Sequence, residues 1–324
     1  MKQQEAVRFG KNQSLVGILT TPENPTTLPA VLFLNAGKIH RVGPSRIYVR
    51  LARRLAALGF PSLRFDFSGI GDSCARTDSL SLEKAFVDDV QQAMDYLMER
   101  LGSSEFILIG HCGGAWVAFL CAGVDERVRG AILMNPEGAE ENWVEYDRQR
   151  KLSRYYENYY TREALVDPQR WKKLLTGKAD YRSIFETVVK SILWNRIRTL
   201  SFKLRHKVLT DGAPKEPTQQ QQRILAEKIV NAFIERQMGL LLLFSKGSTS
   251  VEHAHTVIGK PLKLILQNGI ATEIIIPNAD HMFTTSEGQQ AMIHHVENWC
   301  DALVERERPE SSMVGVMNSP PLTS

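Results

Sequence analysis

The segment ILIGHCGGAWVA, residues 107–118, passes from a wholly apolar run into Gly110-x-Cys112-x-Gly114 and then into a second apolar stretch of helical character. A short apolar run that ends in glycine reads as a strand buried on both faces, and a helix directly behind it requires a tight strand-to-helix turn. Such a turn strains the backbone of the residue at its apex and needs small neighbours for close strand–helix packing. It leaves the apical side chain exposed at the end of the sheet, and here that side chain is a thiol. G-x-C-x-G in this setting is a nucleophile elbow with sulfur at the nucleophile position. The helix that follows offers partial positive charge that favours a thiolate, and the amide of Gly113 points where an oxyanion would form.

Working outward, EFILIG is flanked by further alternating strands and helices. EAVRFGKNQSLVGILT (5–20) reads as an antiparallel edge hairpin, and PAVLFLNAG (29–37) as a buried strand. RIYVRLARRLAALGF (46–60) has apolar residues at helical spacing with Gly59 suited to a C-cap, and PSLRFDFSGIGDS (61–73) is a strand entering a glycine-rich loop. SLEKAFVDDVQQAMDYLMERLG (81–102) is a long amphipathic helix with a serine cap, and RGAILMNPEG (129–138) is another buried strand. Strands that are apolar on both faces and alternate with helices imply an α/β fold with a doubly wound, mostly parallel sheet. In the glycine-rich loop, Asp66, Gly69 and Gly71 are read as structural, shaping a tight turn beside Cys112.

The rhythm breaks near residue 141. Residues 1–140 and 235–304 form the two parts of the expected core, 141–234 an inserted helical cap, and 305–324, rich in proline and serine, a disordered tail. Strand patterns return in GLLLLFSKGS (239–248) and EIIIPNADHMF (273–283), followed by a final helix. Between residues 143 and 210 there are sixteen Lys or Arg against seven Asp or Glu, so the insertion is a basic body on a mildly acidic core. Its tyrosines, Tyr155 and Tyr159 among them, are candidates to line a substrate channel.

A nucleophilic thiol needs a base. His281, in the loop after the last expected strand, follows the nucleophile in the chain order of such a triad. His111 flanks Cys112 and is a candidate pocket residue. The acid is less clear in the sequence. It is expected after GLLLLFSKGS, yet Ser248 stands there, so Glu252 in the same loop is the first candidate and Glu137, just after the preceding strand, the second. Thiols tolerate a weak or missing acid better than alcohols do. The second oxyanion donor is expected from the backbone at Gly37 or Lys38.

Composition narrows the classes. At 324 residues and 43% hydrophobic content the chain can bury one large core with an insertion. A net charge of +4 with no nucleic-acid-binding motif gives no case for nucleic acid, and no apolar run is long enough for a membrane span. Four cysteines, far apart and without a CxxC pair, imply a reduced, cytoplasmic setting with no metal and no cofactor.

Taken together, VRFG…LVGILTTP, HRVGPSRIYVRLARRLAALGFPSLRFDFSGIGDS, GHCGGA, RWKKLLTGKADYRS and PNADHMF resemble an α/β-hydrolase family associated with bacterial exosortase and exopolysaccharide gene clusters. The resemblance covers almost the whole chain and implies a cysteine elbow, a cap after the sixth strand, and roles for Cys112 and His281. The family's acid-bearing loop resembles S-x-x-D, from which this chain departs at Ser248. Cysteine-elbow relatives more broadly include dienelactone hydrolases and polyester synthases. The expected activity is acyl transfer from an ester or thioester through an acyl-S-enzyme, with the acyl group carried on coenzyme A or an acyl carrier protein steered by the basic insertion. An acyltransferase or cyclase using the same site, and a non-catalytic binding protein with a degenerate triad, are the alternatives.

Overall fold

A computed structural model describes residues 3–137 and 219–306. Its eight-stranded sheet runs β1 (Gln3–Phe9), β2 (Leu15–Thr21), β4 (Ser62–Phe65), β3 (Ala30–Leu34), β5 (Phe106–His111), β6 (Val128–Met134), β7 (Gly239–Ser245) and β8 (Ala271–Ile276). β1 and β2 pair as an antiparallel hairpin, and β2 joins β4 antiparallel. From β4 to β8 every neighbouring pair is parallel.

Alternation along the central strands sends side chains into two separate cores. Leu32, Leu34, Leu108, Leu240 and Leu242 pack on one face, with Val90, Met94 and Leu97 of α2 (Leu82–Leu101) and Val117 and Cys121 of α3 (Gly113–Val124). Val31, Phe33, Ile107, Ile109, Leu241 and Leu243 pack on the other, against Ile47, Leu51 and Leu55 of α1 (Ile47–Ala57) and the buried face of the final helix, Ser286–Glu305. Burial on both faces is what makes the strands continuous apolar runs in sequence.

One expected boundary is corrected. Residues 219–234 were assigned to the insertion, but they form α4 (Gln219–Glu235), whose Ala226, Ile229, Val230 and Phe233 are buried in the same core as α3. The Phe233 ring stacks on Phe119 with centroids 6.0 Å apart. Their spacing places these side chains on one stripe of the helix, and that stripe caps α3. Residues 138–218, which hold Tyr155, Tyr159 and the basic stretch, lie outside the described residues, as does the tail from 307.

Two short helices went unread in the sequence, α5 (Ser250–Val257) and α6 (Lys260–Gln267), both between β7 and β8. The last helix is α7 (Ser286–Glu305). Parallel register brings the carboxyl ends of β3, β5, β6 and β7 level: Leu34 lies opposite Gly110, His111 opposite Met134, and Met134 opposite Leu243. The loops leaving these four strands meet at one edge.

Candidate active site

Cys112 sits between β5 and α3 with φ 54° and ψ −122°, a conformation L side chains rarely adopt. The neighbouring glycines explain how the turn closes. A Cβ on Gly110 would lie 2.2 Å from the Gly114 carbonyl oxygen, and one on Gly114 would lie 2.3 Å from the Asn35 oxygen. Both are backbone collisions, so no other residue fits without moving the sheet. The Cys112 amide donates to Met134 O (2.9 Å), which fixes the elbow to the end of β6.

Three ionisable groups converge there. The Cys112 thiol donates to Glu137 Oε2 across 3.6 Å, and Glu137 Oε1 lies 3.5 Å from His281 Nδ1. One sulfur, one carboxylate oxygen and one imidazole nitrogen all fall within 4.8 Å of one another. Glu137 and His281 are each about a quarter exposed, at 26% and 28%, so the cluster is reachable from solvent.

Glu252, the first candidate acid, is not part of this cluster. It lies in the first turn of α5, whose buried positions are Ser250 and Ala254, and its own position faces outward. The loop after β7 contributes hydroxyls instead. Ser250 Oγ donates to Glu137 Oε1 (3.2 Å) and pairs with Ser248 Oγ (2.8 Å). The loop therefore holds the carboxylate that arrives from β6. His253, in the same helix, is held below the ordinary imidazole range by burial, with the charge of Glu137 acting in the opposite sense.

His111 is also not a pocket residue. It is fully buried, and since a carbonyl can only accept, its Nε2 carries the proton and donates to His281 O (2.6 Å). Burial, with the nearby His281 ring adding to it, pushes its pKa down to about 3, so it is a neutral donor. Its ring lies 4.9 Å from that of His281 and packs edge-on to Phe283.

Asn135 escaped the sequence reading altogether. Fully buried with φ 42°, it donates from Nδ2 to His281 O (2.9 Å), and its Oδ1 accepts from Ser245 N (2.8 Å) and Ser245 Oγ (3.2 Å). One amide thus ties the ends of β6 and β7 to the histidine loop. Asparagine tolerates this left-handed conformation better than most side chains, and that was the only signal the sequence offered.

On the other side of Cys112, Gly37 N comes within 3.8 Å of the point where a Cβ on Gly113 would sit, so the two backbones approach closely. Lys38, the other expected donor position, is exposed. The loop carrying Gly37 is anchored by Asp66, whose buried carboxylate accepts from the Arg41 amide (2.6 Å), the Arg41 guanidinium and the Asp72 amide (3.2 Å). Gly71 is required beside it, since a Cβ there would strike Asp66 Oδ2 at 2.2 Å. The glycine-rich loop is structural, as expected.

Comparison with known proteins agrees with this architecture. The sequence profile of the serine aminopeptidase family, S33, matches residues 31–178, a little under half of the chain. The structure aligns with proline iminopeptidase from Mycobacterium smegmatis at TM-score 0.53 and 13% identity, covering 94% of this chain and 100% of that one. A putative lipase from Acinetobacter baumannii aligns at TM-score 0.52 and 14% identity, covering 94% and 93%. The chain has the α/β-hydrolase fold. The uncharacterized protein PA2218 of Pseudomonas aeruginosa shares this α/β-hydrolase architecture, at TM-score 0.50 and 15% identity over 93% of this chain and 94% of that one. In sequence it is 26% identical over 139 residues, which span 40% of this chain and 35% of the relative's length. Among the described residues, no helix is long and apolar enough to cross a membrane.

Proposed function

We propose that the protein is a hydrolase-type acyl-transfer enzyme in which Cys112 is the nucleophile, His281 the base and Glu137 the acid. The observation that carries this reading is the convergence of thiol, carboxylate and imidazole at a strained strand-to-helix turn. In the resting state the thiol hydrogen is directed at Glu137. On reaction, His281 takes the thiol proton while sulfur forms a bond to the substrate's acyl carbon. Charge that moves to the acyl oxygen is met by the amides of Gly113 and Gly37 at the positive end of α3. Collapse of the tetrahedral intermediate breaks the bond to the leaving group, which takes the proton from His281, and water or another acceptor then releases the acyl group.

The matched family's description names serine enzymes, and the similar structures' names include an iminopeptidase and a putative lipase, so amide and ester chemistry both occur on this scaffold. Sulfur favours a thioester substrate here, because exchange between two thioesters is nearly isoenergetic. We assign an acyl group presented on coenzyme A or a carrier protein, steered by the basic stretch between residues 143 and 210. The arrival of a carboxylate from β6 speaks against a decayed, non-catalytic triad.

The test is intact-protein mass spectrometry after incubation with a panel of acyl thioesters. A covalent adduct is expected on the wild-type protein and none on Cys112→Ala, while His281→Ala should slow acylation by about a hundredfold. An adduct of equal yield on Cys112→Ala would overturn the nucleophile assignment.

A further inference from the structure

We infer that Cys112, Glu137 and His281 also form a binding site for a divalent transition-metal ion such as Zn²⁺, and that its occupancy silences the nucleophile. With Zn–S about 2.3 Å and Zn–N and Zn–O about 2.0 Å at tetrahedral angles, ligating atoms should lie about 3.5 Å (S···O) and about 3.3 Å (N···O) apart. In the protein the sulfur lies 3.6 Å from Glu137 Oε2 and His281 Nδ1 lies 3.5 Å from the other carboxylate oxygen, Oε1, and one donor atom from each of the three residues falls within 4.8 Å of the other two. Rotation of the carboxylate and an approach of about 1 Å would bring the three donors to tetrahedral spacing about one ion.

The donor set selects the ion. Thiolate, imidazole and carboxylate together suit Zn²⁺, Co²⁺ and Ni²⁺, whereas Mg²⁺ and Ca²⁺ prefer oxygen alone. Three protein ligands leave a fourth position for water, and the partial exposure of Glu137 and His281 gives an ion access. Ser250 holds the carboxylate, and His111 and Asn135 hold the backbone carbonyl of the histidine, so the groups that orient the donors are in place. Cysteine spacing alone argues against a metal, because Cys112 has no second thiol at CxxC spacing in the chain. Folding supplies the other ligands from β6 and from the loop after β8.

On binding, Cys112 enters as the thiolate and releases its proton to solvent. No electron is transferred. The metal takes the sulfur lone pair that would attack the acyl carbon and the imidazole that would accept the proton. The silencing therefore rests on the acyl-transfer reading, whereas the coordination does not.

Co²⁺ added to the full-length protein should bind at one equivalent and produce a near-ultraviolet sulfur-to-cobalt charge-transfer band. That band should vanish in Cys112→Ser and persist in Cys74→Ser, whose parent thiol is exposed. Glu137→Gln should weaken Co²⁺ binding about tenfold or more. Zn²⁺ should protect Cys112 from iodoacetamide, EDTA should restore labelling, and Mg²⁺ should not protect. Absence of the band, its survival in Cys112→Ser, or equal protection by Mg²⁺ would overturn the site. The two readings fail separately. A cobalt–thiolate band without any acyl adduct leaves the metal site standing and removes the acyl-transfer mechanism, and an adduct without the band does the reverse.

Discussion

The loops after β6 and β7 leave adjacent parallel strands at the same edge of the sheet, yet they supply different chemistry. The β6 loop brings Asn135, which holds the backbone of His281, and Glu137, which meets both the thiol and the imidazole. The β7 loop, where the acid was expected, brings Ser245, Ser248 and Ser250, hydroxyls that hold Asn135 and Glu137 in place. A carboxylate and its support have exchanged strands. The lesson is that such a site specifies where charge must be, and that more than one strand end can deliver it.

The largest expected effect comes from the charged member of the pair. Glu137→Gln should lower kcat/KM for a thioester by about a hundredfold, the range for losing a group that positions or stabilises a general base. A smaller loss than that of Glu252→Gln would return the acid to the β7 side. Asn135→Ala should cut the bridge between the two loops. It leaves Ser245 N and the His281 carbonyl without one partner each, at a cost of about 2–3 kcal/mol in stability. Denaturant midpoints would show it, and an unchanged midpoint would mean that the loops hold their positions independently.

Ser250→Ala removes a single hydrogen bond to the carboxylate and should lower kcat by no more than about tenfold, with little change in KM. A loss as large as that of Glu137→Gln would make the hydroxyl an equal partner in the reaction. The smallest effect is expected for Glu252→Gln, within about twofold of the wild type, as for surface substitutions generally. Steady-state kinetics on the four variants side by side would rank the two loops directly.

Most of the sheet was legible because its strands are buried on both faces, and an unbroken apolar run between glycines has few other readings. The elbow was legible because sterics at Gly110 and Gly114 leave little choice of residue. The acid was not. Choosing between Glu137 and Glu252 requires knowing which side of α5 faces the sheet, and in sequence that helix is eight residues of mixed polarity. His111 misled for a related reason: adjacency to Cys112 suggested the pocket, but His111 ends β5 with its side chain buried, while Cys112 sits on the strained turn beyond it. The helix Gln219–Glu235 opens with four glutamines and was grouped with the polar insertion, although Ala226, Ile229, Val230 and Phe233 already marked a buried stripe.

The backbone at Cys112 sets function against durability. Holding a non-glycine residue at φ 54° costs about 1–3 kcal/mol, whereas glycine there would add only roughly 0.5–1 kcal/mol of unfolded-state entropy. The balance favours the glycine variant as the sturdier protein, an inert scaffold that should melt later than its parent. The thiol therefore sits at a thermodynamic disadvantage, which the thermal midpoint of Cys112→Gly would measure.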